Sequence, residues 1–367
     1  MIAALQRAID AFRGSGKAAV TIPPLDGAMR PNTMLEDAAE LLVAQQPDNL
    51  VSDGDTVYFS SGATVSRVTG DPAIAVQVHH FDAEVNALAA YPGVGLIAAL
   101  ADGSLRFCSD GSHNRRLDRL AGERLVNVTA LAFEDARHLL VCQGSARNPA
   151  AEWKRDLLEH GCSGQVWRVD LDSGDAVCLA RGLAYPYGIA PQPDGSLVVS
   201  ESWRHRLLRL HAGAPAQVVL EDLPGYPARL TPSHSGGWWL SVFAPRNQLV
   251  EFVLREEAFK RRMMAEVPAA FWLAPSLTAP RTFLEPLQGG GLKQLGILKP
   301  WAPSFSYGLV VQLDAGFLPL RSFHSRADGQ RHAVTSCLAR GERLWVASRG
   351  GDRLLDVDLS VLIEEWA

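Results

Sequence analysis

One grammar recurs six times along this chain of 367 residues: a polar turn followed by a β-rich run that ends in small residues. The runs are SDGDTVYFSS (52–61), YPGVGLIAAL (91–100), EDARHLLVCQGS (134–145), PDGSLVVSES (193–202), HSGGWWLSV (234–242) and ARGERLWVAS (339–348). Apolar–polar alternation over four to eight positions marks a half-buried strand. It continues in a second run after each: ATVSRV (63–68), GSLRFC (103–108), GQVWRVD (164–170), HRLLRL (205–210), NQLVEF (247–252) and DRLLDVDL (352–359). A short apolar segment precedes each unit: DNLV (48–51), VNALAA (85–90), VTALAF (128–133), YGIAPQ (187–192), ARLTPS (228–233) and VTSCLA (334–339). A fourth strand is read between units, as in IAVQVHH (74–80), LDRL (117–120), AVCLA (176–180), AQVVLE (216–221) and PLRSFH (319–324).

Six units of four antiparallel strands predict an all-β, six-bladed propeller, in which radial repetition leaves only short, protected sheet edges. AELLVA (39–44) has no unit of its own, so it is expected to pair with the last unit and close the ring. Asp48 to Asn86, Asn86 to Thr129 and Tyr187 to Ala228 are separated by 38, 43 and 41 residues, near the roughly 40–50 of a propeller blade. Residues 1–22 are read as an N-terminal helical extension and 23–367 as a single propeller domain with insertions at 145–162 and 255–306. In the first insertion, Trp153, Leu157 and Leu158 at helical spacing behind Asn148-Pro149 predict a short helix. The second opens on the basic amphipathic REEAFKRRMMAEV (255–267) and runs into a Pro/Gly-rich stretch. Insertions of this size serve as lids or binding loops; contact of 255–267 with an anionic membrane surface is the alternative.

The charge balance, 35 basic against 40 acidic residues for a net −5, leaves no basic footprint for nucleic acid. No run reaches the length of a membrane span, and Arg7, Asp10 and Arg13 interrupt what would be a signal-peptide core. Five widely spaced cysteines without a CxxC fit a reducing cytoplasm. There is no GxSxG, HExxH, EF-hand loop or complete P-loop, so no cofactor is expected.

The runs GLAYPYGIAPQPDGSLVVSESWRHRLLRL (182–210) and LPGYPARLTPSHSGGWWLSVFAPRN (223–247), with PPLDGAMRPNT (23–33) and SGQVWRVD (163–170), resemble the strictosidine synthase-like family, the group that also holds adipocyte plasma membrane-associated protein. That family lies within the wider gluconolactonase/paraoxonase-like superfamily of six-bladed propellers. The resemblance implies an enzyme acting on a small organic substrate in the central channel. It also implies where ligands of a hard cation stand in the superfamily's metal-dependent lactonases: the first residues of the inner strands. Asp48 matches the first-blade acidic position. Thr129 stands where the family has Asn, Tyr187 replaces the Asn of an N-G-[VI] motif, Ala228-Arg229 replaces the Asp-Asn of a P-D-N motif, and Ser336 falls where the condensing enzymes carry a glutamate. One carboxylate beside an arginine makes a poor hard-metal site, so no metal is expected.

The residues then offer two readings. Asp48 as base or orienting carboxylate, Arg229 as anion clamp and Tyr187 as proton donor would support metal-independent acid/base chemistry, such as lactone or ester hydrolysis, or a related addition, elimination or condensation. In the other reading Asp48–Arg229 is a satisfied ion pair plugging the channel. Asn49, Asn86, Thr129, Trp203, Tyr226, Phe243, Ser336 and His80 are the candidate substrate contacts, His80 as a rim base or a solvated strand end. A metal-dependent lactonase of the gluconolactonase type and a non-catalytic small-molecule-binding propeller remain the alternatives.

Overall fold

The computed structural model describes residues 22–108, 115–279 and 305–360, with the backbone of two short strands at 293–294 and 297–298. The expected N-terminal helix lies outside the described residues. Blade 1 holds Pro47–Asp53, Thr56–Ser61, Thr64–Thr69 and Ile74–His80; blade 2 holds Val85–Tyr91, Gly95–Leu100, Leu105–Cys108 and Arg116–Leu117. Blade 3 holds Asn127–Phe133, His138–Ser145, Gly164–Asp170 and Ala176–Leu183; blade 4 holds Pro186–Pro191, Leu197–Glu201, Arg206–Leu210 and Gln217–Leu220. Blade 5 is Gly225–Pro232, Trp238–Pro245, Leu309–Leu313 and Pro319–His324. Blade 6 takes Val334–Arg340, Arg343–Ser348 and Arg353–Asp358 from the end of the chain and Ala39–Val43 from its start. Ala39 faces Asp356 and Val43 faces Arg353, so the early strand closes the ring as its lack of a unit required.

Apolar side chains fill the layers between neighbouring blades. Ile97 and Leu105 of blade 2 pack with Val141 and Trp167 of blade 3, and Trp239 and Phe323 of blade 5 pack with Leu344, Val346 and Leu355 of blade 6. Burying such side chains stabilises each by about 1.5–3 kcal/mol. The hairpin turns repeat too. In Asp102-Gly103-Ser104 and Asp194-Gly195-Ser196 the aspartate Oδ1 accepts the Ser N–H at 2.9 Å. At Gly103 (φ +83°) a Cβ would lie 2.2 Å from the Leu125 carbonyl, so only glycine fits.

Blade 5 corrects the sequence reading. NQLVEF, expected as a third strand, is the helix Gln248–Val253, and the third strand is Leu309–Leu313, beyond the second insertion. Asn247 caps the helix by accepting the Leu249 N–H at 2.8 Å. Val250, Val253 and Leu254 are buried at i, i+3 and i+4, a helical stripe that a short window mimics as alternation. The first insertion forms the expected helix, Trp153–Leu158. The basic segment forms the helix Glu257–Glu266, whose Lys260 is buried and donates to the Leu158 carbonyl at 2.8 Å, tying one insertion to the other. No helix among the described residues is long and apolar enough to cross a membrane.

Among the described residues His205, His324 and His332 are buried, and burial lowers the pKa of each, that of His324 to about 3. The unfolded chain therefore binds protons below pH about 6.5 that the folded chain refuses, so stability is complete above that pH and falls as the solution is acidified. Moving from about pH 7 to about pH 5 should cost about 2 kcal/mol through His324 alone, read as a lower urea midpoint. His324→Gln should flatten that dependence; an unchanged slope would sink the assignment.

Candidate functional site

Every inner strand slips register near its start, between Asp48 and Val51, Val85 and Ala87, Val128 and Ala130, Pro186 and Gly188, Pro227 and Leu230, and Val334 and Ser336. A bulge takes residues out of the ladder and re-aims them. The unpaired residues are Asn49 and Leu50, Asn86, Thr129, Tyr187, Ala228 and Arg229, and Thr335. These six irregularities surround the channel axis.

Arg229 fills that axis. Its Nη1 donates to Asp48 Oδ1 at 2.7 Å and to the Thr335 carbonyl at 3.3 Å; its Nη2 donates to the carbonyls of Asn86 at 2.8 Å and Thr129 at 2.9 Å. The guanidinium carbon lies 5.1 Å from the centre of the Tyr187 ring. One side chain from blade 5 thus touches all five other blades. Asp48 Oδ1 also accepts the Thr335 hydroxyl and the Asn49 N–H, each at 2.7 Å. Little of either side chain is accessible, 12% for Arg229 and 6% for Asp48.

Above the plug opens a cavity of about 160 Å³. Trp153, Tyr185, Tyr187, Trp203 and Phe243 wall it, with Asn86, Asn127, Thr129, Glu84 and Arg349 supplying the polar groups. Tyr185 stacks on Trp203 with ring centres 4.2 Å apart, and Trp153 and Phe243 meet edge to face at 5.8 Å. The wall is held from behind. Buried Asp156, on the first-insertion helix, accepts the Trp203 indole N–H at 2.8 Å. Buried Glu201 accepts the Ala184 N–H at 2.7 Å and the Arg206 Nε at 2.6 Å, fixing the turn in which Tyr185 adopts φ +59°. Such left-handed non-glycine residues persist only where their surroundings over-determine them. Burial, then the Asp48 charge, raises the Tyr187 pKa, so the phenol stays protonated at neutral pH. Arg349 stands 3.6 Å from Asp48 Oδ2; burial lowers its pKa, but Asp48 ahead of Tyr187 and Glu84 more than compensates, and the net shift is upward.

Of the residues singled out from sequence, Tyr187, Asn86, Thr129, Trp203 and Phe243 line this cavity. Several others do not. Asn49 and Ser336 line a second cavity of about 290 Å³ on the far side of Arg229, with Ser336 Oγ accepting the Leu50 N–H. Tyr226 is fully buried behind the wall, its ring against Trp203 and His205. His80 ends the outermost strand of blade 1, exposed and bonded to Thr64, because a fourth strand lies farthest from the axis. Asp48 lies beneath the cavity rather than on its surface, and both terminal nitrogens of Arg229 are bound to protein acceptors, which removes that guanidinium as a substrate clamp.

Trp153, Tyr185, Asn127, Glu84 and Arg349 went unrecognised in the sequence. Arg349 had a signal: Arg349–Gly351 and Ser202–Arg204 are the same 3₁₀ turn after the second strand of blades 6 and 4, each closed by a left-handed residue, Asp352 and His205. The turn that presents Trp203 in one blade therefore presents Arg349 in the other.

The donors around the axis do not fit a hard cation. The re-aimed residues include no carboxylate; Asp48, the carboxylate at the edge of the blade-1 bulge, has its Oδ1 taken by three hydrogen bonds, and a fixed guanidinium occupies the centre. Among the described residues, the cluster with metal-ligand spacing is Glu134, Asp135 and His138, at a blade-3 hairpin. Ser306 and His332 bond at 2.8 Å, yet both are fully buried and His332 Nε2 is held to the Arg326 carbonyl.

No family model matches the chain. Adipocyte plasma membrane-associated protein of Danio rerio is 28% identical over 134 residues, 35% of this chain and 32% of that protein. Strictosidine synthase-like 10 of Arabidopsis thaliana is 27% identical over 120 residues, 32% of each. Each of these matches therefore spans about a third of the relative's length. Among solved structures, a gluconolactonase from Xanthomonas campestris superposes with a TM-score of 0.56 at 16% identity, covering 89% of this chain and 91% of that one. The calcium-binding protein regucalcin from Agrobacterium tumefaciens does so with 0.53 at 13%, covering 87% and 92%. The chain is a six-bladed propeller related to the strictosidine synthase-like proteins, with gluconolactonase- and regucalcin-type propellers as fold neighbours.

Removing one partner of a buried pair strands the other charge. Arg229→Met and Asp48→Asn should each lower stability by about 3–5 kcal/mol, and the double variant should lose less than the sum. Urea unfolding of the four proteins measures this; additive losses would mean that the two residues act independently.

Proposed function

We propose that the protein is an enzyme acting on a small, partly aromatic organic substrate in the cavity above Arg229, by metal-independent acid/base chemistry of the lactone- or ester-hydrolysing kind or a related addition or condensation. The observation that carries this reading is a protonated phenol, Tyr187, set in the floor of an aromatic-walled cavity. Tyr187 donates a proton or hydrogen bond to the oxygen that gains negative charge. Glu84, the carboxylate that opens onto the cavity, is placed to activate water or abstract a proton. Asp48 acts from below as the orienting carboxylate, holding Arg229 in place and lying between it and Arg349. Metal independence is supported by the guanidinium at the axis, where a cation's ligands would have to converge.

A non-catalytic binding propeller is the second reading, favoured by the burial of Asp48 at 4% exposure, out of a substrate's reach. We expect turnover on a panel of aryl esters, lactones and amine–aldehyde pairs to survive dialysis against chelator, and Tyr187→Phe to lower kcat by about 10²–10⁴-fold with little change in unfolding midpoint. Activity that needs added calcium, together with calcium-dependent thermal stabilisation, would favour a metal-dependent lactonase. Saturable binding without turnover of any compound would favour the binding module.

A further inference from the structure

Two arginines share one carboxylate at the bottom of the cavity. Arg229 takes Asp48 Oδ1 at 2.7 Å and finds three backbone carbonyls besides, whereas Arg349 reaches only to 3.6 Å from Oδ2, beyond hydrogen-bond length. A guanidinium carries five N–H donors in a rigid fork. Those of Arg349 meet no acceptor within hydrogen-bond distance among the described residues, and the side chain is 29% exposed in the cavity. Its place is fixed by the backbone. The Arg349 N–H donates to the Ala333 carbonyl at 3.1 Å, and a Cβ on Gly350 would lie 1.8 Å from the Leu277 carbonyl. The turn therefore packs so closely on its neighbour that only glycine fits at position 350.

Two residues that line the same cavity also hold unpaired polar atoms. Asn86 Nδ2 is buried without a partner, and across from blade 2 the fully buried Asn127 leaves its Oδ1 without one. Buried polar atoms are nearly always paired, so each such exception calls for an explanation. Here the unmet groups are an arginine fork, an amide donor and an amide acceptor, enclosed by the rings of Trp153, Tyr185, Tyr187, Trp203 and Phe243. A cavity of about 150 Å³ holds a benzene ring, and this one, at about 160 Å³, is of that size.

We propose that the cavity is a receptor for a single-ring aromatic carboxylate, whose planar anion is taken by Arg349 while its ring lies among the aromatic walls. Planar, two-oxygen recognition is the geometry an arginine fork matches. The ring faces alone would also attract a cation. At the floor two positive charges stand against the single Asp48 carboxylate, which opposes that; the charge of Glu84 reaches Arg349 too, but from the exposed rim and without an ion pair within 4.0 Å among the described residues. The inference rests on the proposed function for the location of the site, and not on turnover.

Phenylacetate, phenethylamine and benzyl alcohol share one ring and differ in charge, and Trp153 and Trp203 in the wall report their binding by fluorescence. On the unaltered protein phenylacetate should bind most tightly. Arg349→Met should weaken it by about 10- to 100-fold while leaving benzyl alcohol within about twofold, and Arg349→Lys should recover part of the loss. Tighter binding of phenethylamine, a preference for phenylacetate that survives Arg349→Met, or no saturable response to any probe at millimolar concentration would each overturn the proposal. The ranking on unaltered protein holds even if a variant fails to fold. Binding of phenylacetate by a protein that turns over none of the aryl esters, lactones or amine–aldehyde pairs would overturn the enzymatic reading alone.

Discussion

The arrangement depends on one guanidinium. Arg229 leaves blade 5 and bonds to a carboxylate of blade 1 and to backbone carbonyls of blades 2, 3 and 6, while its face lies against an aromatic ring of blade 4. A buried cation is tolerated only when its donors are satisfied and its charge is met. The bulged starts of four inner strands supply both at one point. The interaction also divides the channel. Above it lies the aromatic cavity with its unmet polar groups; below it lies a wider cavity lined by the apolar middles of the inner strands.

The insertions complete the upper cavity. The helix of residues 153–158 brings in Trp153 and, through Asp156, sets the indole of Trp203. Its end is capped from the second insertion by Lys260, and His160 Nε2 bonds to the Leu254 carbonyl at 2.8 Å. Their apolar faces meet in one cluster with Phe243 and Tyr226 behind the cavity wall. Segments that break the repeat thus create the feature that distinguishes this ring, as loops on a rigid scaffold commonly do.

The ring was legible because strand periodicity is local: a two-residue alternation and a turn near every tenth position survive without knowledge of partners. It failed at NQLVEF, where six residues are too few to separate a helical stripe from alternation and the capping role of Asn247 decides the matter. At the site, aligning the starts of the inner strands was enough to find Asp48, Asn86, Thr129, Tyr187 and Arg229 and to anticipate that Asp48 and Arg229 meet. The same alignment gave no depth along the channel. Ser336 and Asn49 therefore fell on the wrong side of the plug, and Tyr226 behind the wall instead of in it.

The sequence by itself determined the number of blades, the closing strand and the residues that face the axis, because each follows from a repeat that recurs at fixed spacing. The tertiary structure alone decided which of those residues a substrate can reach. Whether Arg229 or Arg349 has free donors depends on carbonyls contributed by other blades, which no side-chain pattern encodes. The cavity's walls likewise come from an inner-strand lead-in, a blade-4 turn, a blade-5 second strand and an insertion helix, far apart in the chain and brought together only when the ring closes.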